Sequence, residues 1–401
     1  NIKAAEEGQK IGIEICKSCE ILIEKNPDLK NNIITTGTEG VSLGAMAGGC
    51  NFISTYPMSP GTGVLTFLAN QTKDFDIIAE LAEDEISAIN MAVASWYAGA
   101  RGMVTTSGGG FALMVEAISL SGMIETPVVV HIGQRPGPAT GLPTRTEQGD
   151  LELALYAGHG EFPRIILAPG DPEQAFYLSQ KAFIFADKFQ SPVIILTDQY
   201  LLDSYFSVKD LDPELYKNEY FIVKTDKDYK RYKLTDNGIS PRGIPGYGEG
   251  LVRADSDEHD EEGHITEDFE VRNSMVHKRQ RKLETITNEV IEPELIGSEN
   301  YKTLIIGWGT TYHVIKEALL KQGRDDVSFL HFQQVYPLHP DTLKYLEKAE
   351  KTVIIENNAS SQFAKLIRLK TGFDIEHKIL KYNGLQFYVD EILEGLKEIN
   401  I

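Results

Sequence analysis

The strongest constraint on how this chain can fold is an alternation. Short apolar runs close on turns rich in Gly, Pro or hydroxyl residues, and a helical stretch precedes the next run. Between residues 36 and 200 the runs include Asn51–Ser54, Phe75–Ile78, Pro127–Ile132, Arg164–Leu167 and Pro192–Leu196, and the helical stretches include Ile86–Ala98 and Asp171–Ala186. Continuous rather than alternating apolar runs suit strands buried on both faces, so the pattern predicts an α/β fold with a parallel sheet and helices on either side. A second α/β segment follows, with buried strands predicted at Lys302–Ile306, Ser328–Phe332 and Thr352–Glu356 and helices at Tyr312–Lys321, Pro340–Glu350 and Ser361–Lys370. Ahead of both, Ile11, Ile15, Cys19, Leu22 and Ile23 recur at helical spacing and predict a helix from Ile2 to Lys25 that Asn26-Pro27 ends.

Four segments result: a helix and linker at 1–35, a first α/β domain at 36–210, a polar excursion at 211–295 and a second α/β domain at 296–401. The excursion carries Pro241-Arg242-Gly243-Ile244-Pro245-Gly246, the acidic run Asp255–Glu262 and the basic segment His277–Lys282. It is too long for an ordinary loop, and is expected to pack near the active site or against a partner subunit. Asp plus Glu total 59 against 39 Lys plus Arg, a formal charge of −20. Such a surface argues against nucleic acid, whose affinity comes mostly from cationic contacts. No apolar run reaches bilayer length and no signal peptide opens the chain, so no membrane association is expected. Three cysteines are too few for a disulfide framework, which makes a reducing cytoplasm the expected location.

The turns are candidate ligand sites. Gly37, Gly40 and Gly44 do not have dinucleotide spacing, and tight helix–sheet packing is the plainer reading. In Tyr56-Pro57-Met58-Ser59-Pro60-Gly61 two prolines stiffen a turn straight after a strand and aim Ser59. Thr105-Thr106-Ser107-Gly108-Gly109-Gly110 offers free amides ahead of a helix expected near Leu113, and Ser107 lacks the preceding Gly of a nucleophile elbow. Gly307-Trp308-Gly309 imitates a dinucleotide turn, but Tyr312 fills the third Gly position.

Two charged positions stand out. Glu85 ends the acidic run Glu83-Asp84-Glu85 and opens a helix whose Ile86, Ile89, Val93 and Tyr97 are expected on one face. A carboxyl there feels the helix dipole on one side and desolvation on the other, and suits proton sharing with a ring nitrogen. Arg135 leaves the carboxyl end of a predicted strand among glycines and hydroxyls, where a guanidinium can grip a carboxylate in bidentate fashion; pairing with Glu147 or Asp150 is the alternative. Cys16 and Cys19 have too few companions for a metal site. His259 and His264 are five apart in an acidic stretch that reads as a solvated loop. The chain has neither a Walker P-loop nor a Gly-Asp-Gly followed by Asn, the motif that holds a magnesium diphosphate.

With these pieces assembled, the chain resembles the alpha subunit of 2-oxoacid:ferredoxin oxidoreductases, especially the 2-oxoglutarate type. The resemblance runs over about residues 1–401. Tyr56-Pro57-Met58-Ser59-Pro60 is similar to the family's Tyr-Pro-Ile-Thr-Pro, and the run from Gly133 to Thr144 is similar to its substrate loop. The 259–268 run, the 307–312 turn and Glu356-Asn357-Asn358 also match. The resemblance implies a pyrimidine-binding domain of thiamine-diphosphate enzymes followed by a transketolase C-terminal-like domain, with residues 1–35 as the tail of a gamma domain. It implies that Glu85, with Tyr56 and Pro57 nearby, meets the aminopyrimidine of thiamine diphosphate and favours the tautomer that activates the coenzyme. Arg135 and Thr144 would bind the substrate carboxylate and Ser59 would hydrogen-bond the substrate, with Arg145 a further candidate. A separate beta subunit would hold the magnesium diphosphate site and a [4Fe–4S] cluster, leaving no metal in this chain. The alpha–beta pair would dimerise to a heterotetramer, and the whole would turn a 2-oxoacid and coenzyme A into acyl-CoA and CO2, passing electrons to ferredoxin. Pyruvate or branched-chain 2-oxoacids are alternative substrates. A non-catalytic assembly subunit and a nicotinamide-linked dehydrogenase are the rival functions. Ser59 stands where the family has Thr, and Gly109 where it has Pro.

Overall fold

The computed structural model describes residues 1–18, 24 and 26–401. The first α/β part contributes β1 (Ile33–Thr36), β2 (Phe52–Thr55), β3 (Ile78–Leu81), β4 (Gly102–Thr106), β5 (Val128–Gln134), β6 (Ile165–Leu167), β7 (Pro192–Asp198) and β8 (Tyr205–Val208). The second contributes β9 (Glu294–Ile296), β10 (Thr303–Trp308), β11 (Val327–Phe332), β12 (Gln334–Tyr336), β13 (Lys351–Glu356) and β14 (His377–Leu380). A seven-stranded sheet has the order β12-β6-β7-β5-β4-β2-β3, and a five-stranded sheet has the order β14-β13-β10-β11-β9. All pairings in the larger sheet are parallel except β12 against β6. β12 follows directly on β11 of the smaller sheet, so one continuous stretch of chain ties the sheets together.

The buried strands explain themselves. Every residue of β4, β5 and β7 is buried, and these are the continuous apolar runs of the sequence. Three expected elements differ. The strand expected at Phe75–Ile78 is Ile78–Leu81, three residues later, and Phe75 is exposed. The helix expected near Leu113 is split into Gly108–Phe111 and Val115–Met123. The first helix spans Ile2–Ile15, followed by a 3-10 turn at Cys16–Ser18, and Ile11 and Ile15 are exposed. Cys19, Leu22 and Ile23 lie outside the described residues.

The glycines 37, 40 and 44 do serve packing, but against other helices rather than the sheet, Gly37 against Leu201 of the helix Gln199–Asp203. A methyl group at Gly44 would lie 2.1 Å from the Phe176 carbonyl oxygen, and one at Gly40 would lie 2.6 Å from that of Pro172. The helix Gly37–Ala47 thus rests backbone to backbone on the helix Pro172–Phe189.

The 211–295 excursion holds one long helix, Phe269–Thr287, and otherwise irregular chain. Its cations dock on groups that precede strands, at the amino edge of the larger sheet. Lys278 and Lys282 both pair with Glu125, just before β5, and these three side chains are at most 1 % exposed. Arg242 and Arg101 share Asp187, and Arg231 donates to Gln190, both just before β7. Unpaired, such charges would carry a heavy desolvation cost, so the polar composition of this segment is the signature of a buried ionic anchor.

Candidate functional site

In a parallel sheet a crevice opens at the carboxyl ends of the strands where the strand order reverses. In the larger sheet β3 lies to one side of β2 and the chain then crosses to β4 on the other side. The reversal therefore falls between the ends of β2 and β4, at Tyr56–Gly61 and Ser107–Gly110. Glu85 follows β3 and Arg135 follows β5, the strands on either side of the β2–β4 pair, so both reach the same edge.

Glu85 is the first residue of the helix Glu85–Tyr97 and is 4 % exposed. The capping work is done by its neighbour: the Asp84 side chain accepts from the Ser87 amide at 2.7 Å. Glu83 and Glu80 point to solvent. Glu85 is thereby free to turn inward, and its Oε1 is buried with no hydrogen-bond partner. The helix face differs from the one expected. Ile86 is exposed, and the buried stripe is Ala88, Ile89, Ala92, Val93 and Trp96, fixed by the Trp96 indole donating to the Gly102 carbonyl at 2.7 Å.

The glycine triplet makes room for two carboxyls. A methyl group at Gly110 would sit 2.8 Å from Glu85 Oε1 and 2.2 Å from Thr106 Oγ1, and one at Gly108 would sit 2.2 Å from Asp150 Oδ1. Gly109 between them is open, with Met58 Sδ 4.0 Å and the Ala139 carbonyl 3.8 Å from such a methyl position. Besides Glu85 Oε1, the buried polar atoms without a partner include Ser107 Oγ, Arg135 Nε and Asp150 Oδ2. Four such atoms around one turn are unusual, since buried polar groups are nearly always satisfied, and they mark the crevice as built to receive a polar ligand.

Arg135 donates from Nη1 to the Ser59 carbonyl at 2.7 Å, which draws the Tyr56–Gly61 turn against the end of β5. It forms no ion pair with Glu147 or Asp150 among the described residues. Ser59, Tyr56 and Pro57 are exposed along the rim. Thr144 is also exposed, on a loop whose Leu142 and Arg145 rest against Gly384, 3.0 and 3.2 Å from its methyl position. The structure thus brings Glu85, Ser59 and Arg135 to one crevice, and sets Thr144 and Arg145 on its outer loop.

Three supporting features come from packing that the sequence does not show. His131, fully buried on β5, bridges Thr105 and Thr197, each 2.8 Å from a ring nitrogen. The Thr105 hydroxyl donates to the Gly61 carbonyl at 3.1 Å, so the histidine braces the Ser59 turn from below. Burial pushes the His131 ring down to about 3, so it braces as a neutral group. Asp150 is the second feature: burial, then the Glu147 carboxylate, push its carboxyl up to about 7 against the opposing charge of Arg135. The third is a clamp from the smaller sheet. The Gln148 amide donates to the Trp308 carbonyl at 2.7 Å and accepts from the Asn357 amide at 2.9 Å, while Asn358 donates to the Gln148 carbonyl at 3.2 Å. Glu356 accepts from the Phe363 and Ala364 amides and from Asn358. Glu356-Asn357-Asn358 and the 307–309 turn therefore hold the loop that leads into Asp150. A methyl group at Gly309 would meet Gln148 Nε2 at 2.8 Å, so the dinucleotide-like turn is filled by protein. Nor do His259 and His264 converge: His259 stacks on Tyr232 with ring centroids 3.8 Å apart, and His264 bonds Arg253 and Asp260. No metal-ligand cluster occurs among the described residues.

Comparison with known proteins bears on this crevice. A sequence profile described as pyruvate flavodoxin/ferredoxin oxidoreductase, thiamine diphosphate-binding, matches residues 43–278, which include most of the excursion. The 2-oxoacid:ferredoxin oxidoreductase 1 subunit alpha of Sulfurisphaera tokodaii is 37 % identical over 383 residues, 90 % of this chain and 61 % of that protein. The 2-oxoglutarate synthase subunit KorA of Archaeoglobus fulgidus is 31 % identical over 336 residues, 83 % of this chain and 90 % of that protein. A solved 2-oxoglutarate:ferredoxin oxidoreductase from Magnetococcus marinus, with 2-oxoglutarate, coenzyme A and succinyl-CoA bound, superposes with a TM-score of 0.92 at 32 % identity, covering 99 % of this chain and 70 % of that one. The chain spans about three fifths of the length of the Sulfurisphaera relative.

Proposed function

Because the chain belongs to the family of 2-oxoacid:ferredoxin oxidoreductase alpha subunits, we propose that its crevice is one wall of a thiamine diphosphate site shared with a beta subunit. The reaction is oxidative decarboxylation of a 2-oxoacid, with 2-oxoglutarate in particular, to acyl-CoA and CO2, with electrons passing to ferredoxin. The Magnetococcus relative, seen with 2-oxoglutarate and succinyl-CoA, supports that substrate class. Magnesium and an iron–sulfur cluster belong to the beta subunit in this reading, the assembly is an alpha–beta heterotetramer, and its location is the cytoplasm. No described helix is long and apolar enough to cross a membrane.

The observation that carries the proposal is Glu85 Oε1, a carboxylate oxygen buried without a partner at the carboxyl edge of the sheet. It fits a heterocycle whose ring nitrogen brings a proton to share. When bound, thiamine diphosphate supplies a carbon nucleophile and an electron sink for the decarboxylation. The protein groups do the positioning. Glu85 would hold at Oε1 the proton shared with the aminopyrimidine nitrogen. Gly110 keeps a side chain out of the space beside it. Arg135 Nε, unpaired, would bind the substrate carboxylate while Nη1 stays on the Ser59 carbonyl. Tyr56, Pro57 and Ser59 would line the rim toward coenzyme and substrate, and Thr144, on the outer loop, would join Arg135 in binding the substrate carboxylate.

Glu85→Ala in the reconstituted complex tests this. Loss of a proton-sharing group costs about 10²–10⁴ in rate. Turnover equal to wild type would instead favour a scaffold role for the chain.

A further inference from the structure

Asp150 has no structural employment that accounts for its position. It stands at the N-terminus of the helix Leu151–Tyr156, yet its side chain makes no capping hydrogen bond. The carboxyl turns away and presses on Gly108, where even a methyl group would come within 2.2–2.5 Å of its atoms. Its Oδ2 is sealed from solvent and has no partner. The backbone around it is held from two sides. Gln134 Oε1 accepts the Asp150 amide at 3.0 Å from the end of β5, and Gln362 Nε2 donates to the Gly149 carbonyl at 2.8 Å from the smaller sheet's side. A backbone held on both sides in this way fixes where its side chain projects, as working sites require to within a fraction of an ångström.

The charged groups that act on Asp150 are Arg135 from the end of β5 and Glu147 from its own loop, while Glu85 sits at the other end of the glycine triplet, beside Gly110. The second domain presents the amides of Gln362 and Asn358 to the same loop. Arg135 lies near enough to act on the Asp150 carboxyl electrostatically, but not within ion-pair distance. The guanidinium therefore lies within electrostatic reach of the Asp150 carboxyl and keeps a buried, unpaired Nε.

Resting on the 2-oxoacid reading above, we propose that Asp150 is a specificity-determining residue that controls how strongly Arg135 attracts an incoming carboxylate. As a neutral acid, Asp150 leaves the charge of Arg135 to the ligand. As a carboxylate, it competes for that charge and repels the ligand's own. A carboxyl pushed up to about 7 changes between these forms in the neutral range. Binding of a dicarboxylate then takes up a proton at Asp150, and affinity falls as pH rises through its titration.

The experiment is calorimetric titration of the holoenzyme complex with glutarate, an unreactive dicarboxylate, from pH 6 to pH 8.5, in two buffers of different ionisation heat. For wild type, Kd is expected to rise about tenfold between pH 6.5 and pH 8.5, with proton uptake on binding. Asp150→Asn is expected to bind with a Kd flat to within about twofold and without proton uptake. A wild-type Kd that does not change with pH, or an Asp150→Asn profile with the wild-type slope, overturns the proposal. Arg135→Ala separates it from the reading beneath it. If that variant binds glutarate as wild type does at every pH, the carboxylate site itself is wrong. If it loses binding while Asp150→Asn keeps the slope, only the role of Asp150 fails.

Discussion

Gly110→Ala perturbs the proposed catalytic carboxyl without removing it. The added methyl group would lie 2.2 Å from Thr106 Oγ1, 2.8 Å from Glu85 Oε1 and 2.9 Å from Glu85 Cγ. Contacts below 3 Å cannot persist. Thr106 is fully buried at the end of β4, so the easier relief is displacement of the Glu85 carboxyl by about 1 Å. Overpacking of this kind costs about 1–3 kcal/mol of stability. A misplacement of about 1 Å in a positioned catalytic group costs on the order of 10²-fold in rate. Gly109→Ala, one residue away, is the control, because its methyl group would meet nothing closer than 3.8 Å. The assay is steady-state turnover of the reconstituted complex at saturating coenzyme, with thermal unfolding measured in parallel. Gly110→Ala should lose about 100-fold in kcat and Gly109→Ala less than about threefold. Equal effects of the two substitutions, in either direction, would refute the assignment of Glu85 to the reacting side of the triplet.

Other substitutions probe the supports. Glu125→Gln leaves Lys278 and Lys282 buried without their carboxylate; it should cost about 3–5 kcal/mol, on the order of 10 °C in calorimetric Tm, and an unchanged Tm would contradict the ionic anchor. Burial alone would raise the Glu125 carboxyl, but the two ammonium groups and Arg231 outweigh it and hold it well below the ordinary range. Its contribution is therefore complete above about pH 4.5 and is lost as pH falls below that, which acid unfolding of wild type against Glu125→Gln will resolve. His131 works in the same direction for a different reason: the unfolded ring takes a proton near 6.5 and the folded ring only at about 3, so stability falls by up to about 1.4 kcal/mol per pH unit over that window. A plot of Tm against pH should be shallower for His131→Gln, and parallel plots would count against a neutral brace. Gln148→Ala strands the Asn357 amide and the Trp308 carbonyl and should cost about 1–3 kcal/mol for each, with KM for the 2-oxoacid rising more than kcat falls.

Much of the fold is legible in the sequence, because strands buried on both faces are written as unbroken apolar runs. β5 and β7 are of this kind. β3 was misplaced because it is an edge strand whose Ile78 and Leu81 remain exposed, so nothing in the apolar pattern pins its register. Glu85, Ser59 and Arg135 could be singled out, since each directly follows a predicted strand or opens a helix. Their convergence depends on strand order, which no local signal carries. Asp150 was read only as a possible partner for Arg135. Its importance comes from Gly108, 42 residues away in the chain but adjacent in space, and from the Gln134 and Gln362 side chains that hold the backbone at Gly149 and Asp150. The docking of the excursion is hidden for a similar reason. Glu125 and Asp187, which pair with its cations, lie 153 and 55 residues from Lys278 and Arg242 respectively.

The central claim is that Glu85 activates a coenzyme lying against this chain. The direct measurement is proton–deuteron exchange at the thiazolium carbon of thiamine diphosphate bound to the reconstituted complex, followed by quench and NMR, for wild type and Glu85→Gln. Saturating coenzyme separates activation from binding. Exchange slowed by about 10²-fold or more in the variant is the expected result. Exchange as fast as in wild type, with the coenzyme bound, would contradict it.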